Sequence, residues 1–512
     1  MMRNRLGALA ATAAVVLPLS ACGFDGAPAG GSDEGDHLVI SLQFTPAASF
    51  ALETDDAFVL SRVGCLETLV EYDQEAGELV PGLAASWEQT EPVAWDFTLQ
   101  PDVTFQDGTP MTATEVAGAL NHALEVDAPA RAFTPESVAG VEAVDDQTVR
   151  VTTTEASPLL PFRLASMNTG ILAPSAYEAS AGTDVKRTCT GPFEVTDYDA
   201  GQSISLQRND DYWGQAPALS TIEALFVPEG ETRANQVQAG EAQIALAIPS
   251  TSVPALESDP NVAVTHEFTP RTTALYLNTS QEPFDDARVR RAVQSALDLG
   301  AIASTVYDGG AQPAIGPFAP DEPWAPDEQP VEQDLEAARD LLTEAGYESG
   351  DLSLTLYGYV ERAEFADLAA VIQASLSEIG IDVEVSVPEY AAIEDDLLSG
   401  NYDMALMSRN HLADIPDPAG YLVADYSCDG GFNISQFCAP EFDALLDQAR
   451  SETDDDARAA IYGEAAAFLQ EQAVSVFIVH EETRAATAAG VQGFQDDPLN
   501  RYAITPDVSL GD

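Results

Sequence analysis

The sequence predicts an α/β fold of more than one domain, built on a partly parallel sheet, and three observations carry that prediction. Hydrophobic periodicity alternates between helix and strand along 352–407. At 512 residues the chain exceeds what one ordinary core organises. A hydrophobic content of 45% excludes a mostly disordered chain. Within 352–407, a strand at 352–357 precedes a helical face of Leu368, Val371, Ile372, Leu376 and Ile379, which Gly380 closes. Ile381, Val383, Val385 and Val387 then alternate with polar residues as a second strand, and a short helix near 393–398 leads to an apolar strand at 402–407. This is a βαβαβ order, for which right-handed crossovers and a parallel sheet are expected. Beyond the last strand, Arg409, Asn410, His411 and Asp414 precede Pro416 and Pro418. Two prolines in three residues end regular structure, and ligands of such sheets sit beyond the carboxyl ends of the strands. The loop holding Asp414 is therefore the first candidate site.

From the N-terminus, Arg3 and Arg5 precede a short apolar run over 6–18, too short to span a bilayer as a mature helix. It ends Leu19-Ser20-Ala21-Cys22-Gly23, which resembles the lipobox of bacterial lipoproteins, whose cysteine is acylated after cleavage just before it. The resemblance implies a signal peptide over 1–21 and lipidation of Cys22, and the Gly-, Ala- and acid-rich stretch 22–36 reads as a flexible tether. Four further cysteines, Cys65, Cys189, Cys428 and Cys438, make an even set for an exported chain. Four cysteines allow three pairings. The local Cys428–Cys438 pair is favoured, leaving Cys65–Cys189 as a long-range staple. No CxxC spacing occurs and the five histidines are scattered singly, so no metal site is expected.

Strand-like and helical pieces alternate from Leu38 onward. Trp95, Phe97 and Leu99 mark one side of a strand, Asp107-Gly108 a turn, and Thr112 with Glu115 a capping box. Asp285 or Asp286 caps a helix with Val289, Val293, Ala296 and Leu297 on its buried face, and Arg288, Arg290 and Arg291 on solvated ones. The proline-rich stretch 312–330 reads as a surface crossing. A helix with Ile461, Ala465, Phe468 and Leu469 on one face leads to a strand near 475–479.

Seven short segments in order are similar to the family 5 extracellular solute-binding proteins, which serve peptide and nickel ABC importers. They are Pro81-Gly82-Leu83-Ala84 with Ser86-Trp87; Asp107-Gly108-Thr109-Pro110 with Glu115-Val116; and Thr190-Gly191-Pro192-Phe193, where Cys189 replaces the usual glycine. The series continues with Asn209 to Gly214; Leu277-Asn278-Thr279 with Pro283-Phe284-Asp285-Asp286 and Arg288 to Arg290; Pro440-Glu441-Phe442-Asp443; and Val491-Gln492-Gly493-Phe494. The resemblance implies a two-lobed, periplasmic-binding-protein-like clamp of type II, in the large peptide-binder class, with mixed sheets and a hinge. Lobe I is expected over 37–268 with a return over 481–512, and lobe II over 269–480, with chain crossings near 267–271 and 479–483.

In peptide-binding members an aspartate in the loop after this strand pairs with the ligand's ammonium, and Asp414 stands at the matching place; Asp417 reads as a turn residue. Two departures stand out. The Gly-Trp common before this loop is replaced by Ser408-Arg409-Asn410-His411, and the arginine that dipeptide binders place at the start of the helix before Ile381 is replaced by Glu364-Phe365-Ala366-Asp367, with Arg362 displaced from the match. Arg409 or Arg271 then become the candidates for a ligand carboxylate. His411 is the residue that could ligate a nickel chelate, as in the nickel members, although a lone loop histidine is more often solvated. Glu67, Thr68 and Thr190 are expected to line the first lobe's edge of the cleft.

The charge narrows the partners. With 21 basic and 85 acidic residues the net charge is −64, and Lys186 is the only lysine. Such a field opposes nucleic acid and anionic headgroups, so membrane attachment is expected through lipid alone. Its simplest reading is a solubilising surface or adaptation to high salt. No G-x-S-x-G, H-E-x-x-H or Walker A motif occurs, and while scattered acids suit a secreted glycosidase, the order of motifs does not. The expectation is a monomeric, lipid-anchored extracytoplasmic receptor without cofactor. It captures a small solute, foremost a di- or oligopeptide and alternatively a nickel chelate, for an ABC permease with a separate ATPase.

Overall fold

In a computed structural model of the chain, the described residues are 36–511 except 74–75, 179–181, 327–328, 363 and 413–414. The expected signal peptide, Cys22, the tether up to residue 35 and Asp414 lie outside them.

An eleven-stranded mixed sheet is the frame. Leu352–Tyr357 pairs in parallel with both Ile381–Ser386 and Met404–Asn410, as the βαβαβ pattern predicts. The helix between, Phe365–Glu378, buries Leu368, Ile372 and Leu376, and Gly380 follows at φ +88°. Met404–Asn410 runs three residues past the expected end, because Arg271–Leu277 of the adjacent strand pairs with it antiparallel along its whole length. Arg409 and Asn410 are thus strand residues, not loop residues.

Two long strands stitch the sheet together. Val262–Leu277 and Ser475–Ala488 pair antiparallel, and both expected crossings fall inside them. The register breaks between Phe268 and Thr272, where Pro270 has no N–H to give to a ladder. Beyond the break the strands carry His37–Leu42, Thr221–Phe226, Ser203–Arg208 and Phe193–Asp199, reached through Ile244–Ala245. A separate four-stranded sheet contains Ala84–Glu91, Ala94–Leu99, Thr148–Thr153 and Val138–Ala143.

The described residues pack as one compact unit. One hydrophobic cluster joins Leu38, Phe193, Ile222 and Ile504. A larger one joins Phe97 and Val149 of the four-stranded sheet to Val293, Leu356 and Leu406 of the second half. The two halves of the chain are therefore in apolar contact.

Local expectations meet the structure at several points. Thr112 and Glu115 form the capping box, Asp286 caps Ala287–Ser295, and Val289, Val293, Ala296 and Leu297 are buried. Arg290, expected to be solvated, is buried instead: its guanidinium donates to the Phe284 and Gln472 carbonyls, which the helix C-terminus and the turn would leave unpaired. The proline-rich stretch is not a surface crossing either. Ala314, Phe318, Ala319 and Trp324 are buried, because Ala311–Pro313 adds to the main sheet and draws the next dozen residues inward. On Asp455–Glu471 the buried side chains are Arg458, Tyr462, Ala465, Ala466 and Leu469, so the inner face includes two polar residues outside the apolar pattern. Both disulfides form as favoured, Cys65–Cys189 across 124 residues and Cys428–Cys438 across 10.

Candidate functional site

The predicted site residues fall into two groups. Arg271, Arg409, Asn410 and His411 meet at the carboxyl end of the Met404–Asn410 strand, where Arg271 lies opposite Asn410 and Thr272 opposite Arg409. Glu67, Thr68 and Thr190 meet beside the Cys65–Cys189 disulfide, all three buried. The hairpin of Val70–Asp73 and Glu78–Pro81 links the groups: its Gly77 abuts Pro323, and the Glu322 and Asp417 carboxylates act electrostatically on the Tyr72 phenol.

Arginine chemistry dominates the first group. The Arg409 guanidinium donates to both Asp425 carboxylate oxygens at 2.7 Å and stacks on the Phe432 ring at 4.2 Å. Burial would discharge it, and Asp425 more than offsets this. Arg409 is thus committed internally. Arg362 is likewise spent, pairing with Glu364 and Glu481 at 2.6 Å each. Glu481 in turn accepts from the Thr273 hydroxyl at 2.8 Å and from Ser408 at 2.7 Å. Burial alone would raise the Glu481 pKa, but Arg362 and Arg271 hold it below the usual carboxylate range.

Arg271 differs. It follows the register break at Pro270, a place where a bulge re-aims a side chain. Nη1 alone is engaged, through two long 3.3 Å bonds to Ser408, and no carboxylate within 4 Å pairs with it among the described residues. Burial, then the nearby Arg362 and Arg409, lower its pKa, while Glu481 opposes them. A planar fork with unused donors and no counter-ion of its own is suited to a bidentate carboxylate.

Asn410 and His411 hold the loop. Asn410 Oδ1 accepts from the Leu412 N–H at 3.1 Å. His411, expected to be solvated, is buried: Nε2 contacts Glu322 at 2.6 Å, its ring packs on Phe318 at 4.9 Å, and its N–H donates to the Pro270 carbonyl. Its Nδ1 is buried without a partner. His480 lies nearby, with its pKa pushed down to about 3 by burial and then by His411; neutral, it accepts from the Ile315 N–H and bonds Thr272.

In the second group Glu67 accepts from the Tyr212 hydroxyl at 2.8 Å and the Trp213 indole at 3.1 Å, and burial still raises its pKa. The Thr68 hydroxyl donates to the Val70 carbonyl at 2.6 Å. Thr190 sits where Gly191 passes so close to the backbone that a Cβ would lie 2.5 Å from the Gly64 and Cys65 carbonyl oxygens. Asn209 donates to the Gly191 carbonyl, so the Asn209–Gly214 and Thr190–Phe193 motifs are clipped together beside Glu67. Glu67 and Thr68 are thus engaged with neighbouring groups, whereas the Thr190 hydroxyl is buried without a partner.

Sequence reasoning missed several polar residues. The Arg501 guanidinium binds Asp497 and the Tyr72 carbonyl, yet its Nη1 is buried without a partner, as is the Tyr72 hydroxyl. Glu71, beside them, is pushed up to about 7 by burial and then by Glu67, against Arg501. Asp417, read as a turn residue, accepts from the Tyr462 hydroxyl at 2.6 Å and from Arg458 at 3.2 Å. The available signal was charge: a buried-face arginine on an otherwise apolar helix stripe implies a buried acid. Among the described residues, no group of three or more His, Cys, Asp or Glu is placed to hold a metal ion, and no helix is long and apolar enough to cross a membrane.

The chain resembles known proteins along most of its length. The family model of the bacterial extracellular solute-binding proteins, family 5 Middle, matches residues 78–433. Di/tripeptide-binding protein 2 of Pseudomonas aeruginosa is 28% identical over 465 residues, covering 82% of this chain and 85% of that protein. The nickel-binding protein NikA of Staphylococcus aureus is 26% identical over 502 residues, covering 97% of each. Among solved structures, the nickel ABC transporter from Bacillus halodurans superposes with a TM-score of 0.82 at 29% identity, over 93% of this chain and 100% of that one. The periplasmic binding protein DppA from Helicobacter pylori, in complex with the peptide STSA, gives 0.72 at 25% identity, over 93% and 98%.

Proposed function

Since this chain belongs to the family 5 bacterial extracellular solute-binding proteins, we propose that it is the capture subunit of an ABC importer, taking a short peptide between two lobes and presenting it to the permease. The observation that carries the peptide reading is Arg271: a half-buried guanidinium with unused donors at the end of the Met404–Asn410 strand. It takes the role that the absent helix-start arginine plays in dipeptide binders, receiving the ligand carboxylate, while Asp414, from the loop four residues beyond Asn410, receives the ammonium. A zwitterion held at both ends is selected by length as well as charge. Di- and tripeptide-binding relatives support the same class. Lobe I is assigned to 37–268 with 481–512 and lobe II to 269–480. The hinge lies at the register break near 267–271 and the neighbouring 479–483, where Pro270 leaves the ladder weakest. The protein performs no chemistry. It is processed before Cys22 and held at the outer face of the membrane by lipid.

A nickel chelate is the second reading, favoured by the unpartnered Nδ1 of His411 and by the nickel-binding relatives. A thermal-shift panel separates them: di- to pentapeptides, nickel with and without histidine, oligosaccharides and buffer. A ligand at a hundred times its dissociation constant stabilises by about 2.7 kcal/mol. The peptide reading expects a shift with peptides, and affinity weakened at least tenfold in Asp414→Ala and Arg271→Ala with the unliganded melting temperature kept. A shift with nickel–histidine alone would replace it.

A further inference from the structure

We infer that the groove between the four-stranded sheet and the start of the Asp455–Glu471 helix is a second binding site, which takes a small, weakly hydrated organic cation such as a quaternary ammonium; the inference goes beyond the receptor function proposed above and does not depend on its ligand. The groove encloses about 240 Å³, less than the roughly 300 Å³ at which pockets for drug-sized ligands begin, so its occupant is small. Its lining is largely aromatic. Trp87 stands opposite Phe97 and Gln89 opposite Trp95 across two antiparallel strands, so all four side chains share one face of the sheet. Phe97 is buried in the core, and Trp87 and Trp95 continue that face, half-buried, into the groove. Phe162 and Arg458, both buried, complete the lining, with the guanidinium 5.1 Å from the ring centroid.

The donors around the groove are already engaged. The Trp95 indole N–H donates to the Ser157 carbonyl at 2.9 Å and the Gln89 amide to the Pro92 carbonyl at 3.0 Å. Arg458 uses its guanidinium on Asp417, Asp455 and the Glu452 carbonyl. What remains is chiefly aromatic faces and carboxylate oxygens, so a neutral sugar would find few groups to give to its hydroxyls. The acids stand on both rims. On one, Glu78 lies directly opposite Asp73 in the hairpin, a like-charge cross-strand pair that a cation would relieve. Glu78 is exposed and its side chain has no partner among the described residues. On the other rim, Asp454 caps the helix and Asp455 and Asp456 fill its first turn. Arg458 is the one base among the described residues lining the groove, and Asp417 and Asp455 already answer it, so Glu78 leaves the site negative. A hard cation needs a cage of oxygens, and among the described residues no group of three or more His, Cys, Asp or Glu is placed to supply one. An alkylated ammonium needs no cage: it holds its water loosely and is attracted by indole faces. Packing alone accounts for the two tryptophans, but not for an unpaired Glu78 set against Asp73 on the rim of the groove they line.

Calorimetric titration tests this with choline chloride, tetramethylammonium chloride, ammonium chloride and glucose, each at an ionic strength held constant with sodium chloride. The unaltered protein is expected to bind choline and tetramethylammonium saturably at one site, at least about tenfold more tightly than ammonium, and to give no saturable heat with glucose. Two variants locate the site. Trp87→Leu keeps an apolar filler but loses the indole face, and is expected to weaken choline binding about tenfold. Glu78→Gln removes an exposed charge without touching the core, and is expected to weaken it about two- to fivefold while the melting temperature holds or rises. Should Trp87→Leu fail to fold, Glu78→Gln decides alone. Choline bound no more tightly than ammonium would overturn the inference, since the aromatic faces would then confer nothing. Choline affinity unchanged in folded Trp87→Leu or in Glu78→Gln would overturn it too, placing the cation elsewhere, the peptide cleft included. Saturable binding of glucose in place of choline would replace the cation with a sugar. None of these outcomes bears on whether the cleft takes a peptide.

Discussion

Glu481 shows how a single carboxylate organises this protein. The sequence pattern ends its strand near residue 479, short of it, yet in the fold it lies within Ser475–Ala488 and receives Arg362, Thr273 and Ser408 from three different elements. Its charge is what lets two arginines, Arg362 and Arg271, share a dry corner. Asp496 is the opposite case. Burial, then its neighbours Asp497 and Glu267, push its carboxyl up to about 7, with only the Thr265 hydroxyl in its favour. Because that value lies above the unfolded one near 4, the folded protein holds the proton more tightly between those limits. The stability contribution is therefore present at low pH and lost as pH rises through about 7. Asp496→Asn is expected to be more stable than the unaltered protein at pH 8, by about 1 kcal/mol once its partial exposure is allowed for. The gap should close as pH falls toward 4; urea melts across that range measure it. A pH-independent difference would show that Asp496 does not titrate as described.

At the scale of elements, each disulfide braces one wall of the candidate site. Cys65–Cys189 fixes the segment carrying Glu67 and Thr68 against that carrying Thr190. Cys428–Cys438 closes the loop that lays Phe432 over Arg409, and Asp443 of the Pro440–Ser451 helix caps it through the Cys428 N–H. Opening the longer one frees a 124-residue loop, the shorter a 10-residue one. In the chain-entropy model these are worth nearly 5 and about 3 kcal/mol. Cys65→Ser with Cys189→Ser should accordingly cost more in urea denaturation than Cys428→Ser with Cys438→Ser. An equal or inverted order would place their stabilisation in native packing instead. The elements themselves were largely legible, since strand alternation, the capping box and the Asp286 cap are local properties. The strand end at Asn410 was not, because its last three residues are held by a neighbour far away in sequence, Arg271–Thr273.

For the whole molecule the charge decides the conditions of stability. Eighty-five acids against 21 bases give −64, an excess with no basic residue left to cancel it. Self-repulsion of that size opposes the compact state and is screened within about 10 Å at 0.1 M salt and 3 Å at 1 M. The melting temperature is expected to rise by several degrees from 0.05 to 1 M sodium chloride, with most of the gain in the lower part of that range. A flat or falling melting temperature in differential scanning calorimetry would show that repulsion is not limiting.

Sequence alone determined the class of fold and the family, because periodicity and motif order are properties of the chain read along its length; it favoured one of three disulfide pairings, which the structure then showed. It also brought out Arg271 and Arg409 as rivals for one role. Only the tertiary structure separated them. Asp425 lies 16 residues beyond Arg409 and answers it with both oxygens, whereas Arg271 emerges from a broken register with donors to spare. Asp417 was equally beyond reach of the sequence, with partners 41 and 45 residues away. Which charges are spent and which remain open depends on burial and on who stands opposite. Those are relations between distant segments, and no local pattern encodes them.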